Sequence, residues 1–437
     1  MSPRLLAIPA LLLAFAGVSA ADEQPVRLEE KFQPGTIYRV RSHMTGTATL
    51  TLPKEKDTKE GQSLTGTAES SIDYDERILE IDSGGLPNKT LRHYKTIDFR
   101  KVNGKQKIEN TLRPAVRRLV VLRDKNLKVP FSPDGPLLVS EIDLIRTDVF
   151  APSLRGLLPD KPVKPGDAWK ASSEAVRELT DMTVEEGSIE CKLHELGKIN
   201  GRRAAEIGIS GSVRGVGEDG PTRHEINGRF YFDMEANYIS YISFQGKQLL
   251  LDKDKPAGTI EGIFTLVRVA RIQSADLADD AIRGVKLNPD DDNTLLLYDN
   301  EDLGVRFQYP RRWKVAGVNG RQIMIDADDD NGLLLTLDAI AKIPTAAQFT
   351  KESETFIREQ KGRILGTTTP RRLQASPAEI DQFAIDAVMK DKRLLLDYYI
   401  IRQKDSGATL AAHLTPEAMK SLRPEVERIV KSVVVGK

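Results

Sequence analysis

Residues 225–251 read EINGRFYFDMEANYISYISFQGKQLLL, two runs of alternating aromatic or β-branched and polar residues that meet at Ala236-Asn237. A period of two marks a strand with one buried face, and turn residues between two such runs mark a hairpin. The pattern recurs on both sides, with candidate strands at 36–52, 64–81, 90–102, 117–123, 182–196 and 203–216 before it and 259–272 after it. Several exceed the common strand length of about 3 to 10 residues. The expectation is a large antiparallel β-rich domain whose sheet is strongly curved or forms a half-barrel, with bulges at Gly46, Gly66 or Gly246 that let it bend.

One interruption breaks the series. Ser140-Glu141-Ile142-Asp143 resembles a capping start, with Ile142, Ile145 and Val149 at helical spacing, and a second short helix is expected over 152–158. Both are expected to cover one mouth or face of the sheet. Pro34-Gly35 before the first strand is echoed by Pro165-Gly166 after the helices, each with an aromatic residue three positions beyond the glycine (Tyr38, Trp169). Pro-Gly turns commonly precede strands, so the echo by itself does not establish a duplication.

The first twenty residues combine Arg4, the apolar run Leu5 to Val18 and the small residues Ser19-Ala20, the pattern of a cleaved secretory signal peptide. The apolar run is shorter than the roughly 20 residues that span a bilayer. The reading is therefore an exported chain, periplasmic or extracellular, with no transmembrane segment after cleavage. Cys191 is the single cysteine, so no intramolecular disulfide forms. It is read as a strand residue set opposite Ile189 and Leu193, and not as a nucleophile.

Residues 22–273 are assigned to the β-rich domain, 274–294 to a linker rich in Ala, Asp and Leu, and 295–437 to a smaller α/β domain. In that last stretch strands lead to a helix at 346–360 stopped by Gly362, and further strands lead to a final helix capped by Thr415, with Pro416 at its first position and Pro424 kinking or dividing it. Tyr298-Asp299-Asn300, Gly304-Val305-Arg306-Phe307-Gln308-Tyr309-Pro310 and Trp313 resemble the opening hairpin of the PsbP-type family of extrinsic photosynthetic subunits. The resemblance covers about the last third of the chain. It implies an αβα sandwich and a role in binding protein partners, and no family binding residue is carried over. The N-terminal domain is similar to uncharacterised secreted bacterial β-rich proteins, chiefly at Pro165-Gly166-Asp167-Ala168-Trp169. In strand length it also resembles the half-barrel of periplasmic lipoprotein carriers, whose concave faces hold acyl chains.

Lys plus Arg and Asp plus Glu stand at 64 each, so no net field draws nucleic acid. Gly215, Gly217 and Gly220 match a dinucleotide fingerprint in spacing, but Pro221 and a strand follow where that motif opens a helix, so a hairpin is expected. Asp326 to Gly332 is acidic but lacks the EF-hand glycine and glutamate, having Asn331 and Leu337 in their places, and is read as a turn; Asp290-Asp291-Asp292 is the other acidic run. His43, His93, His194, His224 and His413 are scattered, without zinc-ligand spacing. Asp73, Asp75 and Arg77 share a strand face and are read as solvated. The assignment is thus no catalytic, cofactor-binding or metal residue and no cofactor. The function expected is an exported, non-catalytic binding or scaffolding protein that recognises a protein partner, the alternative being a carrier of a lipid or other hydrophobic ligand. A carrier requires an apolar cavity, and a scaffold a filled core with a flat or polar concave face.

Overall fold

The computed structural model describes residues 16–17, 24–51, 63–124, 127–218, 220–252, 255–271, 273–328, 330–373 and 378–436. The export signal read over residues 1–20 lies outside this set but for 16–17. The chain divides into two compact units, Met1–Pro133 with Ser140–Leu287, and Asp134–Val139 with Asn288–Lys437. Residues 274–287 thus belong to the first unit, and Leu277 is fully buried there with Leu91, Val120 and Phe131.

The first unit's strands are β1 (Ile37–Thr51), β2 (Ser63–Ile81), β3 (Pro87–Asn103), β4 (Gln106–Thr111), β5 (Arg118–Asp124), β6 (Leu127–Phe131), β7 (Ala168–Lys170), β8 (Met182–Ile199), β9 (Arg202–Gly217), β10 (Gly220–Asp233), β11 (Tyr238–Asp252) and β12 (Lys255–Arg271). Across the sheet they run β8-β9-β10-β11-β12-β1-β2-β3-β5-β6, with β4 on β3 and β7 on β8. These pairings are antiparallel, and among the described residues the path has two ends, so the sheet is open and not a closed barrel. Tight turns set the register. Asn200 (φ 50°) and Gly201 (φ 82°) form a two-residue loop between β8 and β9, the left-handed pair that matches strand twist.

One face carries the core. Ile72, Ser42, Leu266, Ile242, Phe230 and Ile207 are successive register partners, and all but Ser42 are buried. Helix α1 (Val139–Arg146), a 3-10 turn at Ala151–Leu157 and helix α2 (Ser173–Thr180) supply Ile145, Phe150, Leu154, Leu157 and Val176 to the interior. The second expected helix is this 3-10 turn, and α2, capped by Ser172, was not anticipated. Cys191 lies on the same buried face as Ile189 and Leu193, as a period of two requires, which corrects the opposite placement.

The expected glycine bulges are also corrected. The ladder keeps register through Gly46, Gly66 and Gly246, and shifts fall instead at places such as Asp73/Tyr74, Tyr231/Phe232 and Leu250/Leu251. The glycines act differently. Gly211, Ile226, Gly246, Gly262, Gly46 and Ala68 are successive register partners across six strands. A Cβ on Gly262 would stand 2.5 Å from the Thr45 carbonyl oxygen, and one on Gly211 2.3 Å from that of Ser188. Close backbone approach at Gly211 and Gly262 lets the sheet coil without inserting a residue.

In the second unit β13 (Leu296–Asn300) and β14 (Val305–Tyr309) pair, flanked by Leu137–Leu138 and Val434–Val435. A second sheet runs β15 (Lys314–Asn319), β16 (Gln322–Ala327), β17 (Asn331–Ala339), β22 (Ser406–Leu414), β21 (Lys392–Arg402), β20 (Glu379–Met389) and β18 (Arg363–Thr367), with β19 (Arg371–Leu373) also on β20. Helix α3 (Ala346–Glu359) opens on a Thr345/Gln348 capping box and packs Phe349 against Phe383 and Tyr398. Helix α4 (Met419–Ser432) lies on the opposite face, where Arg423 holds Asp397 at 3.0 Å. It continues through Pro424, so of the expected kink or division the division does not occur; the stripe of Leu422, Val426, Ile429 and Val430 buries enough apolar surface to offset the lost backbone bond. Thr415 accepts from the Met419 amide on its carbonyl at 3.0 Å and from the Ala418 amide on its hydroxyl oxygen at 3.4 Å, so it caps the turn that leads into α4, whose regular part begins at Met419.

Gly262→Ala is expected to lower stability by about 1–3 kcal/mol through overpacking. Gly46→Ala, whose Cβ would meet nothing nearer than 3.4 Å, is expected to cost less. Urea denaturation of the two variants checks the order.

Candidate functional site

Two register rows flank the glycine row. One is Ser210, Asn227, Gln245, Ile263, Thr45, Glu69 and Arg100; the other is Ser212, Glu225, Lys247, Glu261, Thr47, Thr67, Val102 and Lys107. Together with the glycine row they line an open cavity of about 1270 Å³. Paired residues share a face. Val102 and Thr67 therefore put the cavity on the face opposite Ile72, Leu266 and Phe230. It is a trough across eight strands, formed where the glycine row lets the sheet coil.

The trough's chemistry is polar and mostly neutral. The side chains of Thr45, Thr47, Thr67, Ser210, Ser212, Asn227 and Gln245 make no hydrogen bond to another group among the described residues. Lys247 donates to Glu261 at 2.8 Å, which holds its ammonium above the ordinary value. Glu69 stands opposite Arg100 in the ladder. Ile263, 49 % exposed, is the one large apolar side chain near the centre. The lining residues include no aromatic, histidine or cysteine side chain. This set is equipped to hydrogen-bond a ligand; it presents no nucleophile beside a base.

The residues singled out from sequence lie elsewhere. Gly217 and Gly220 pair at the mouth of the β9–β10 hairpin, Gly220 with φ 103°. Of Asp326 to Gly332, Asp329 lies outside the described residues; the stretch otherwise ends β16 and begins β17, and the Asn331 side-chain amide donates to the Asp328 carbonyl at 2.8 Å. Asp290 accepts from the Asp292 and Asn293 amides, capping its own turn. The histidines stay apart: His43 contacts Ser71 at 3.0 Å, His93 contacts Asp276 at 2.9 Å, and His224 has its pKa lowered by burial, opposed by Asp181. Burial pushes the Cys191 thiol up to about 12.

Asp75 corrects the solvated reading. Its side chain is 1 % exposed beneath Arg271 (3.1 Å), Lys95 (3.4 Å) and Arg39 (3.7 Å), and it accepts from the Ser274 hydroxyl at 2.8 Å. Burial pushes the carboxyl up, but the Ser274 hydrogen bond and the three cations outweigh it and hold the pKa below its ordinary value. The signal for this lay outside the strand, because Ser274 and Arg271 arrive from some 200 residues away.

No family model and no curated protein matches this chain. Among solved structures, it is similar to cyanobacterial PsbP from Synechocystis sp. PCC 6803 over 32 % of this chain and 92 % of that one, at 11 % identity and a TM-score of 0.26. It is similar to lipovitellin over 57 % of this chain and 27 % of that one, at 11 % identity and a TM-score of 0.31. OccK11 of Pseudomonas aeruginosa matches over 89 % of this chain and 98 % of that one, at 8 % identity and a TM-score of 0.12. Likenesses of this degree transfer no fold and no activity.

Asp75→Ala is expected to cost about 2 kcal/mol at neutral pH, less than a fully sealed pair because the three cations reach water. The carboxylate stabilises the fold above its unfolded pKa of 3.8, and that stabilisation is lost as pH falls through the lower folded value. Urea midpoints of wild type and variant should therefore differ at pH 7 and converge below about pH 3.

Proposed function

We propose that this chain is an exported, non-catalytic binding protein that recognises a macromolecular partner through the polar trough of its first unit. The observation that carries this is the pair of side-chain rows along one crease, whose hydroxyl and amide groups have no partner among the described residues. Exposed groups of this kind cost little to desolvate if a ligand replaces water's hydrogen bonds. The same lining weighs against a hydrophobic ligand in the trough, since an acyl chain would strip water from those groups and return nothing. In this reading the second unit, PsbP-like in its opening motif, offers a further protein-binding surface, and the protein works in the periplasm or beyond the cell after removal of residues 1–20.

A photo-crosslinking residue in place of Thr47, in protein expressed in its own host, is expected to give a discrete protein adduct that Gln245→Trp abolishes by filling the trough. The same probe in place of exposed Phe356 should give none. Organic extraction of the purified protein should return no stoichiometric lipid; a lipid adduct at position 47 would replace this reading with the carrier.

A further inference from the structure

Arg92 on β3 stands between two carboxylates. Its Nε donates to Glu76 Oε1 at 2.8 Å and its Nη1 to Asp148 Oδ2 at 2.8 Å, with all three side chains at most 1 % exposed. Tyr94 Oη lies 3.2 Å from the guanidinium and donates to Asp148 at 3.4 Å, and the rings of Tyr74 and Phe150 lie 4.6 and 5.5 Å from it. Glu76, Tyr74, Arg92 and Tyr94 belong to the sheet. Asp148 does not: it sits between α1 and the 3-10 turn, in the segment whose Ile145, Phe150, Leu154 and Leu157 complete the core.

The other charges near Asp148 are already engaged. Lys128 on β6 donates to the Asp148 carbonyl and pairs with Glu178 of α2 at 2.8 Å, while Arg123 on β5 pairs with Glu178 at 3.0 Å and with Glu174 at 3.1 Å. Glu178 also accepts from the Phe150 amide at 2.6 Å. One guanidinium therefore serves two sealed carboxylates where water cannot help.

We propose that Asp148 is a proton-operated latch for the 140–157 segment, closed on the sheet when the carboxyl is protonated and prone to lift when it is ionised. Burial is the leading influence on this carboxyl and pushes it up to about 6, against the opposing pull of Arg92 and Lys128. A lifted segment returns Asp148 to water and to its ordinary value of 3.8. Between these values lifting releases a proton, so the opening constant rises tenfold per pH unit, reaching on the order of a hundredfold, and is level above about pH 6.5.

Hydrogen exchange of the full chain, followed by mass spectrometry and corrected for intrinsic rates, reads the latch directly. Peptides within 140–157 are expected to open on the order of a hundredfold more often at pH 7 than at pH 4. Asp148→Asn should remove that dependence, and peptides from α3 should show none of it. Equal opening of the segment at both pH values, or an unchanged dependence in Asp148→Asn, would overturn the proposal. Glu76→Gln, which leaves Arg92 to Asp148 alone, provides a second reading. Its transition should move to lower pH, and an unmoved midpoint would equally overturn the latch.

Discussion

The ladder between β12 and β1 is the constraint on which the first unit depends. It runs unbroken from Gly258–Leu50 to Arg271–Ile37 and joins the last strand of the sheet to the first. Without it there would be two separate meanders, each with a long unpaired edge. Closing a loop of some 200 residues costs entropy that local hairpins do not face. Arg268 shows what compensates. Its guanidinium is sealed between the rings of Tyr38 (4.7 Å) and Tyr238 (5.2 Å), pairs with Glu30 from the segment before β1, and is pushed down to about 9 by burial. The first strand, the preceding segment and the last strand are thus tied at one point of the core.

From that ladder follow two faces with different duties. On one, the row through Leu266 and Phe230 is sealed by the helices between β6 and β8. On the other, the β1 and β12 residues beside the glycine row remain open to water and line the trough. Gly46 and Gly262 are direct partners in the ladder, so the glycine row crosses the sheet at its non-local seam.

Much of the strand layout was legible in the alternation, because half-buried strands must repeat every two residues. Strand ends at 37–51, 63–81 and 238–252 fall within a few residues of the expected ones. The short edge strands at 106–111, 127–131 and 168–170 were not, since Gln106 to Thr111 is exposed or nearly so along its length and shows no apolar period. The trough was invisible for a related reason. Its residues look like an ordinary solvated strand face one strand at a time, and only the register sets Gly46, Gly246, Gly262 and Gly211 in one line. Buried charge was missed for the same cause: Asp75 reads as a solvated acid, and nothing local marks Asp148, until residues remote in sequence close over them.

Hydroxyl-radical footprinting tests most directly whether the trough is a recognition surface, by comparing the purified protein with the protein in its native envelope. Ile263 and Val102, both exposed in the trough, are expected to be labelled in the purified protein and protected in the envelope, while exposed Leu365 is labelled alike in both. Equal labelling of Ile263 in the two samples would show the trough empty where the protein works, and would contradict its role in recognition.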